Sequence, residues 1–79
     1  MKDLRRKLER IYDESSQKLF LCAIAITRRK DWAEEAIQNA FYQLLRLQHE
    51  PNNLLNYVFV CVRNAAIDLI RQGKHIPNF

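Results

Sequence analysis

The chain has 79 residues and a formal net charge of +4. This length leaves room for a single domain spanning 1–79, and it is near the smallest size that folds without metals or disulfides. One glycine and two prolines are too few turn residues for a small strand-rich domain, whereas good helix formers are abundant. We therefore predict an all-α protein, a compact three-helix bundle. The longest apolar run, LFLCAIAI from Leu19, is too short to cross a bilayer, so we expect a cytoplasmic protein.

The first predicted helix covers about residues 2–29. Apolar residues recur at three- and four-residue steps from Leu4 to Ile26, which is the period of an amphipathic helix. A second apolar set, which includes Phe20 and Ile24, widens the apolar stripe in the C-terminal half, so we expect that half to be buried on more than one side. The capping residues at 13–16 also allow a kink or a second helix start there.

The second predicted helix covers about residues 31–47. Asp31 followed by Glu34 forms a capping-box pattern, which predicts Asp31 as the N-cap. The inner face of this helix is rich in alanine, which lets another helix approach closely. Its predicted members are Ala33, Ala36, Ile37, Ala40, Phe41, Leu44 and Leu45.

The outer face of the same helix combines carboxylates with amides. Its members are Glu34, Glu35, Gln38, Asn39, Tyr42 and Gln43. Such a patch is either an ordinary solvated helix face or a docking surface for a basic protein partner, because complementary charge guides encounter.

The third predicted helix covers about residues 53–72, after the connection QHEPNN. Pro51 disfavours helix at the residue before it, Asn52 or Asn53 can cap the next helix, and Gly73 is placed to end it. The predicted core face consists of Leu54, Tyr57, Val58, Cys61, Val62, Ala65 and Leu69.

A polar stripe follows the third helix. Asn64, Asp68 and Arg71 are spaced i, i+4 and i+7 and share one face. Asp68 and Arg71 either form a simple surface ion pair or belong to a nucleic-acid surface, in which the cations contact phosphates and Asn64 contacts a base edge. We predict that Tyr57 is in the core and that Phe59 is exposed and available to stack on unpaired bases.

No pattern in the sequence predicts an enzyme, a cofactor or a metal site. The chain has no Gly-rich phosphate loop, no HExxH and no GxSxG motif. Cys22 and Cys61 stand alone, without CxxC spacing or a histidine at ligand distance, and are predicted to be buried free thiols.

Charge is unevenly distributed along the chain. Residues 1–30 hold nine basic and four acidic side chains, residues 31–50 hold one and four, and residues 51–79 hold three and one. An acidic centre between basic flanks suggests two surfaces with different partners, although ordinary solvated helix faces give the same pattern.

Taken together, the second and third helices resemble region two of a bacterial RNA polymerase sigma factor of the extracytoplasmic-function type. That family's core-docking helix reads roughly A-E-D-l-v-Q-e-v-F, and AEEAIQNAFYQLL is similar to it. The family's promoter helix reads roughly W-L-y-r-i-a-r-N-l-a-l-D-l-l-R-r, and YVFVCVRNAAIDLIRQ is similar to it. The resemblance covers about residues 8–72, with the motifs in the family's order.

The resemblance implies a transcription-initiation function without covalent chemistry, and it implies particular contacts. The second helix would bind the clamp helices of the core polymerase β′ subunit through Glu34, Glu35, Gln38, Asn39 and Tyr42. The loop LQHEPNN and the third helix would bind the partly single-stranded minus-ten element of promoter DNA through Phe59, Arg63, Asn64, Arg71 and Lys74. Asp68 would orient Arg71 or a basic residue of the first helix. The family's region-four helix-turn-helix has no counterpart in these 79 residues, and an anti-sigma factor is a further partner to consider.

Several positions depart from the family pattern. Glu35 replaces an aspartate, Asn39 replaces an acidic residue, Tyr57 replaces a tryptophan and Val60 stands where a basic residue is usual. Each lost cation removes about one phosphate contact, so we expect DNA binding that is weaker and less dependent on salt. The alternative function is a sigma-like interaction protein that binds polymerase or an anti-sigma factor without reading promoter DNA.

Overall fold

The computed structural model describes residues 2–73 as three helices, α1 (Lys2–Thr27), α2 (Lys30–Leu44) and α3 (Leu54–Arg71). Each helix packs against the other two, and no strand is present between residues 2 and 73. The predicted all-α three-helix bundle is therefore confirmed. Within the same range, no helix is long and apolar enough to cross a membrane.

The core is one continuous cluster to which all three helices contribute. Its largest fully enclosed apolar side chains are Leu8, Leu19, Leu44, Val58 and Val62. Small residues fill the positions where helices approach each other, since Ala23, Ala33, Ala36, Ala40 and Ala66 are all buried. Alanine at these positions permits close helix packing and leaves little void volume.

Helix α1 is uninterrupted from Lys2 to Thr27, so neither a kink nor a second start occurs at 13–16. Leu8 and Leu19 on either side are buried, and they hold one continuous helix against the rest of the bundle. Packing of an apolar stripe outweighs the local preference of Asp and Ser for caps.

The end of α1 is closed by Thr27 and Arg28. Thr27 is fully buried, and its hydroxyl lies 3.1 Å from the carbonyl oxygens of both Ala23 and Arg29. Arg28 follows with a φ of 64°, and its N–H donates to the Ile24 carbonyl at 2.8 Å. This is the left-handed C′ arrangement that glycine usually provides, occupied here by an arginine.

Helix α2 begins at Lys30, with Arg29 as its extended N-cap and no side-chain cap. The prediction that Asp31 is the N-cap is therefore wrong. Because the chain turns within residues 28 and 29, Asp31 already lies in the first helical turn. Its carboxylate binds the Arg29 guanidinium, with Nε to Oδ1 at 3.2 Å.

Helix α2 ends at Leu44, earlier than the predicted residue 47, and turns carry the chain onward. The Lys7 ammonium on α1 binds both oxygens of the Glu50 carboxylate at 3.2 and 3.0 Å, which ties the loop to α1. Asn53 caps α3 as predicted, because Asn56 N–H donates to its Oδ1 at 3.1 Å.

Helix α3 ends as predicted at Gly73. This glycine has a φ of 79°, and its N–H donates to the Ile70 carbonyl at 3.0 Å. A C′ glycine in the left-handed region satisfies a terminal carbonyl without a steric penalty.

Two predicted core residues are exposed, and one buried residue was not predicted. Leu45 is 49% exposed and Tyr57 is 38% exposed, whereas Ala66, which was not predicted, is fully buried. Leu45 follows the last residue of α2 and so leaves the buried face. On α3 the buried stripe runs through residues 58, 62, 66 and 69. Tyr57 and the half-buried Cys61 and Ala65 therefore lie at the edge of this stripe.

Candidate functional site

The predicted acidic and amide-rich patch lies on the solvent side of α2. Glu34, Gln38, Asn39 and Tyr42 are exposed, and Tyr42 is 64% exposed. Glu35 is half-buried. The alanines of the opposite face fix this orientation, because they are buried against α1 and α3.

One edge of this patch adjoins α1. Glu34 and Gln38 line a groove of about 350 Å³ together with Tyr12, Phe20 and other residues. Tyr12 is 46% exposed, although its spacing placed it in the apolar stripe. Its ring packs edge-on against Phe41, with centroids 5.2 Å apart. The acidic patch therefore has an aromatic border that periodicity along one helix does not reveal.

The other edge of the patch adjoins α3. Polar side chains from both helices line a second groove of about 390 Å³, over a floor of small and apolar residues. The polar members are Asn39, Tyr42 and Gln43 of α2, Asn64 and Asp68 of α3, and Gln72, which is the C-cap of α3. The residues predicted for two separate surfaces thus meet along this groove. Sequence reasoning missed the groove, because the two sets of residues are far apart in the chain.

On α3 the predicted contact residues are only partly presented to solvent. Arg63, Asn64 and Arg71 are exposed, as predicted. Phe59 is half-buried and packs against the core, while Tyr57 is exposed. The predicted locations of these two rings are therefore reversed. Lys74, the remaining predicted contact, lies outside the described residues 2–73.

The predicted role of Asp68 is also corrected. Asp68 is exposed at the α2–α3 groove, and between residues 2 and 73 it forms no ion pair with Arg71 or with a basic residue of α1. A spacing of i, i+3 permits such a pair but does not enforce it when both side chains are solvated. Asp68 therefore does not brace Arg71 and adds a carboxylate to the groove.

Cys61 lies at the floor of the α2–α3 groove and is a free thiol, as is Cys22. Both are half-buried, which is less burial than predicted. Burial raises the pKa of the Cys61 thiol, and a hydrogen bond with Tyr57 partly opposes that rise. A thiol that stays protonated is a poor nucleophile and a poor metal ligand. No cluster of metal-binding side chains occurs in the described part of the chain.

The corner between α1 and α2 carries three consecutive exposed cations, Arg28, Arg29 and Lys30, which we call the basic corner. The Arg29 guanidinium binds both oxygens of Asp31, each at 3.2 Å, and it stacks over the Trp32 ring at 4.4 Å. The hydrogen bond to Asp31 raises the pKa of Arg29, and the same contact lowers the pKa of Asp31.

The chain was compared with known families. The family model described as Sigma-70 region 2 matches residues 11–76, a range that includes most of α1 and all of α2 and α3. No curated protein and no solved structure gives a significant match. The matched range contains both exposed helix faces and the groove between them.

Proposed function

The chain belongs to the Sigma-70 region 2 family, and from that membership we propose that it acts in transcription initiation as the region-two domain of a bacterial sigma factor of the extracytoplasmic-function type. Helix α2 binds core RNA polymerase through the clamp helices of the β′ subunit. Helix α3, with the loop before it, binds the minus-ten element of the promoter. The observation that carries the proposal is the family match, which spans both helices.

The surface of α2 supports the polymerase contact. Glu34, Gln38, Asn39 and Tyr42 are exposed on one side of a rigid helix, so a partner can reach all four without rearrangement of the bundle. The half-buried Glu35 reinforces the negative charge of this surface. Charge complementarity to a basic partner speeds encounter and fixes orientation.

The surface of α3 supports the DNA contact. Arg63 and Arg71 supply cations for phosphates, and the carboxamide of Asn64 can pair with a base edge. Tyr57 is the exposed aromatic ring at the start of α3, so we assign base stacking to Tyr57 in place of Phe59. Val60 lies on the same face and is 40% exposed, which leaves an apolar surface where the family usually has a cation.

The polymerase contact is tested with a double variant of exposed residues. Glu34→Lys with Gln38→Ala is expected to abolish binding of the 79-residue chain to a β′ clamp-helix fragment in a pull-down or calorimetric titration. Glu14→Lys with Gln48→Ala is the matched control, because it makes the same chemical changes at exposed positions outside α2. Equal binding by the two double variants would contradict the docking assignment.

The DNA contact is tested with a single-stranded oligonucleotide that contains a minus-ten sequence. Arg63→Ala and Tyr57→Ala should each weaken binding, and Arg6→Ala on the exposed surface of α1 should not.

One observation favours the alternative function, an interaction protein for polymerase or an anti-sigma factor. Between residues 54 and 71, α3 holds two cations, Arg63 and Arg71. Clamp binding without any DNA binding would establish that alternative and reject the promoter role.

A further inference from the structure

One ion pair joins α1 to the loop between α2 and α3, which comprises residues 45–53. The Lys7 ammonium lies 3.2 and 3.0 Å from the two carboxylate oxygens of Glu50, 43 residues away in the chain. The other ion pairs between residues 2 and 73 join side chains no more than four positions apart. Chain proximity accounts for those pairs, whereas the Lys7–Glu50 pair exists only because the bundle brings the loop against α1.

The middle of this loop has few other constraints. Leu47 and Leu54 pack against the core on either side of it, but residues 48–52 make no backbone hydrogen bond with any described residue. In the described part of the chain, the Lys7 ammonium donates the only hydrogen bonds made to this segment. Pro51 stiffens the segment, because its ring fixes φ and restricts the residue before it. A single contact therefore decides how a short, stiff segment is oriented against α1.

The segment that Lys7 holds carries groups that can recognise a base. Gln48, His49 and Asn52 are exposed, and their amides and imidazole can donate to or accept from the edge of an unpaired base. We propose that Lys7 is a positioning residue, which acts through Glu50 to hold this loop in the orientation that recognises a base of the single-stranded minus-ten element. This inference rests on the proposed promoter function.

The strength of the ion pair sets the size of the effect. The side chains of Lys7 and Glu50 are 56% and 39% exposed, so solvent screens their attraction. Loss of such a pair lowers the population of the held loop orientation by about two- to fivefold, and the affinity that depends on this orientation falls by the same factor. Contacts of α3 with phosphates do not depend on the loop, so the loss should appear in the discrimination between bases.

The test measures base discrimination. Anisotropy gives the affinity of the 79-residue chain for a fluorescein-labelled single-stranded minus-ten oligonucleotide and for each single-base substitution of it. The variants are Glu50→Gln, Lys7→Gln, the two together, and Lys7→Arg. Glu9→Gln is the matched control for Glu50→Gln, because it removes a carboxylate from an exposed ion pair within α1. Arg6→Gln is the matched control for Lys7→Gln, because it removes a neighbouring exposed cation. Thermal melts verify that every variant folds.

Glu50→Gln gives the sharpest result, because two explanations predict opposite outcomes. If Glu50 only repels phosphates, removal of its charge should strengthen binding to every oligonucleotide alike. If Glu50 transmits the hold of Lys7, the ratio of affinities for the preferred and the substituted base should fall by about two- to fivefold. Lys7→Gln and the double variant should show the same fall, since each change breaks the same contact. Lys7→Arg, Glu9→Gln and Arg6→Gln should keep the wild-type ratio.

The outcomes that would overturn the inference are distinguishable. A wild-type base ratio in Glu50→Gln would remove the ion pair from base recognition and leave the proposed function intact, even if the variant melts at a lower temperature. Losses in the two single variants that add in the double variant would show that Lys7 and Glu50 act separately, which also rejects the positioning role. A wild type that binds no minus-ten oligonucleotide would reject the inference and the promoter role together.

Discussion

Replacement of Arg28 by glycine is expected to stabilise the bundle. The φ of 64° at this residue costs a side chain roughly 1–2 kcal/mol, a penalty that glycine avoids. Glycine also makes the unfolded chain more flexible, which offsets roughly 0.4–1 kcal/mol of that gain. The net increase in the free energy of unfolding should be about 0.5–1 kcal/mol. For a domain of this size, that raises the melting temperature by about 2–8 °C.

The assay measures the stability of three proteins. Thermal and urea unfolding are compared for the wild type, Arg28→Gly and Arg28→Ala. Arg28→Ala is the matched control, because it removes the same charge but keeps the Cβ atom that the left-handed backbone disfavours. The glycine variant should melt at the highest temperature of the three.

One result would refute this reasoning directly. If Arg28→Gly melts at or below the temperature of Arg28→Ala, residue 28 does not carry left-handed strain, and the conformational argument fails.

Three other changes test the packing, the capping and the electrostatics of the fold. Leu19→Ala removes a fully buried side chain and should lower the free energy of unfolding in urea by about 3 kcal/mol. Leu21 is 58% exposed, so Leu21→Ala should lower it by less than about 0.5 kcal/mol. Similar losses at both positions would contradict the assigned buried face of α1. Asn53→Ala removes the N-cap of α3 and should lower the free energy of unfolding by about 1 kcal/mol, and an unchanged urea midpoint would argue against the cap. The pKa of Asp31 lies below its ordinary value of 3.8 because of Arg29, so the ion pair should favour the folded state at neutral pH and lose that effect as the pH falls through the lowered pKa. A carboxyl NMR titration of Asp31 in the wild type and in Arg29→Gln measures this shift, which should disappear in the variant.

The sequence by itself determined the parts of this protein that depend on local rules. The period of the apolar residues predicted three helices in the correct order, because each helix must bury one face. Asn53 and Gly73 were predicted as the start and stop signals of α3, because their capping chemistry involves only the next few residues. The exposed faces of α2 and α3 also followed from spacing, and with them most of the candidate contact residues.

Local rules were insufficient where a neighbouring helix competes with them. Asp31 has the spacing of an N-cap. Because α1 ends at the buried Thr27 and the chain turns at residues 28 and 29, α2 begins at Lys30, one residue before Asp31. The spacing also gave no reason to prefer Phe59 over Tyr57 for the core. That choice depends on which side of α3 faces α1 and α2, and the buried stripe is turned by a fraction of a helical turn from the predicted one.

Only the tertiary structure decided which distant residues act together. Asn39 and Asn64 meet across one groove, although more than 20 residues of chain separate them. Helix periodicity specifies the angle of a side chain about its own axis and contains no information on the partner across an interface. That partner is set by the antiparallel packing and register of whole helices, which the combined shape of the core determines.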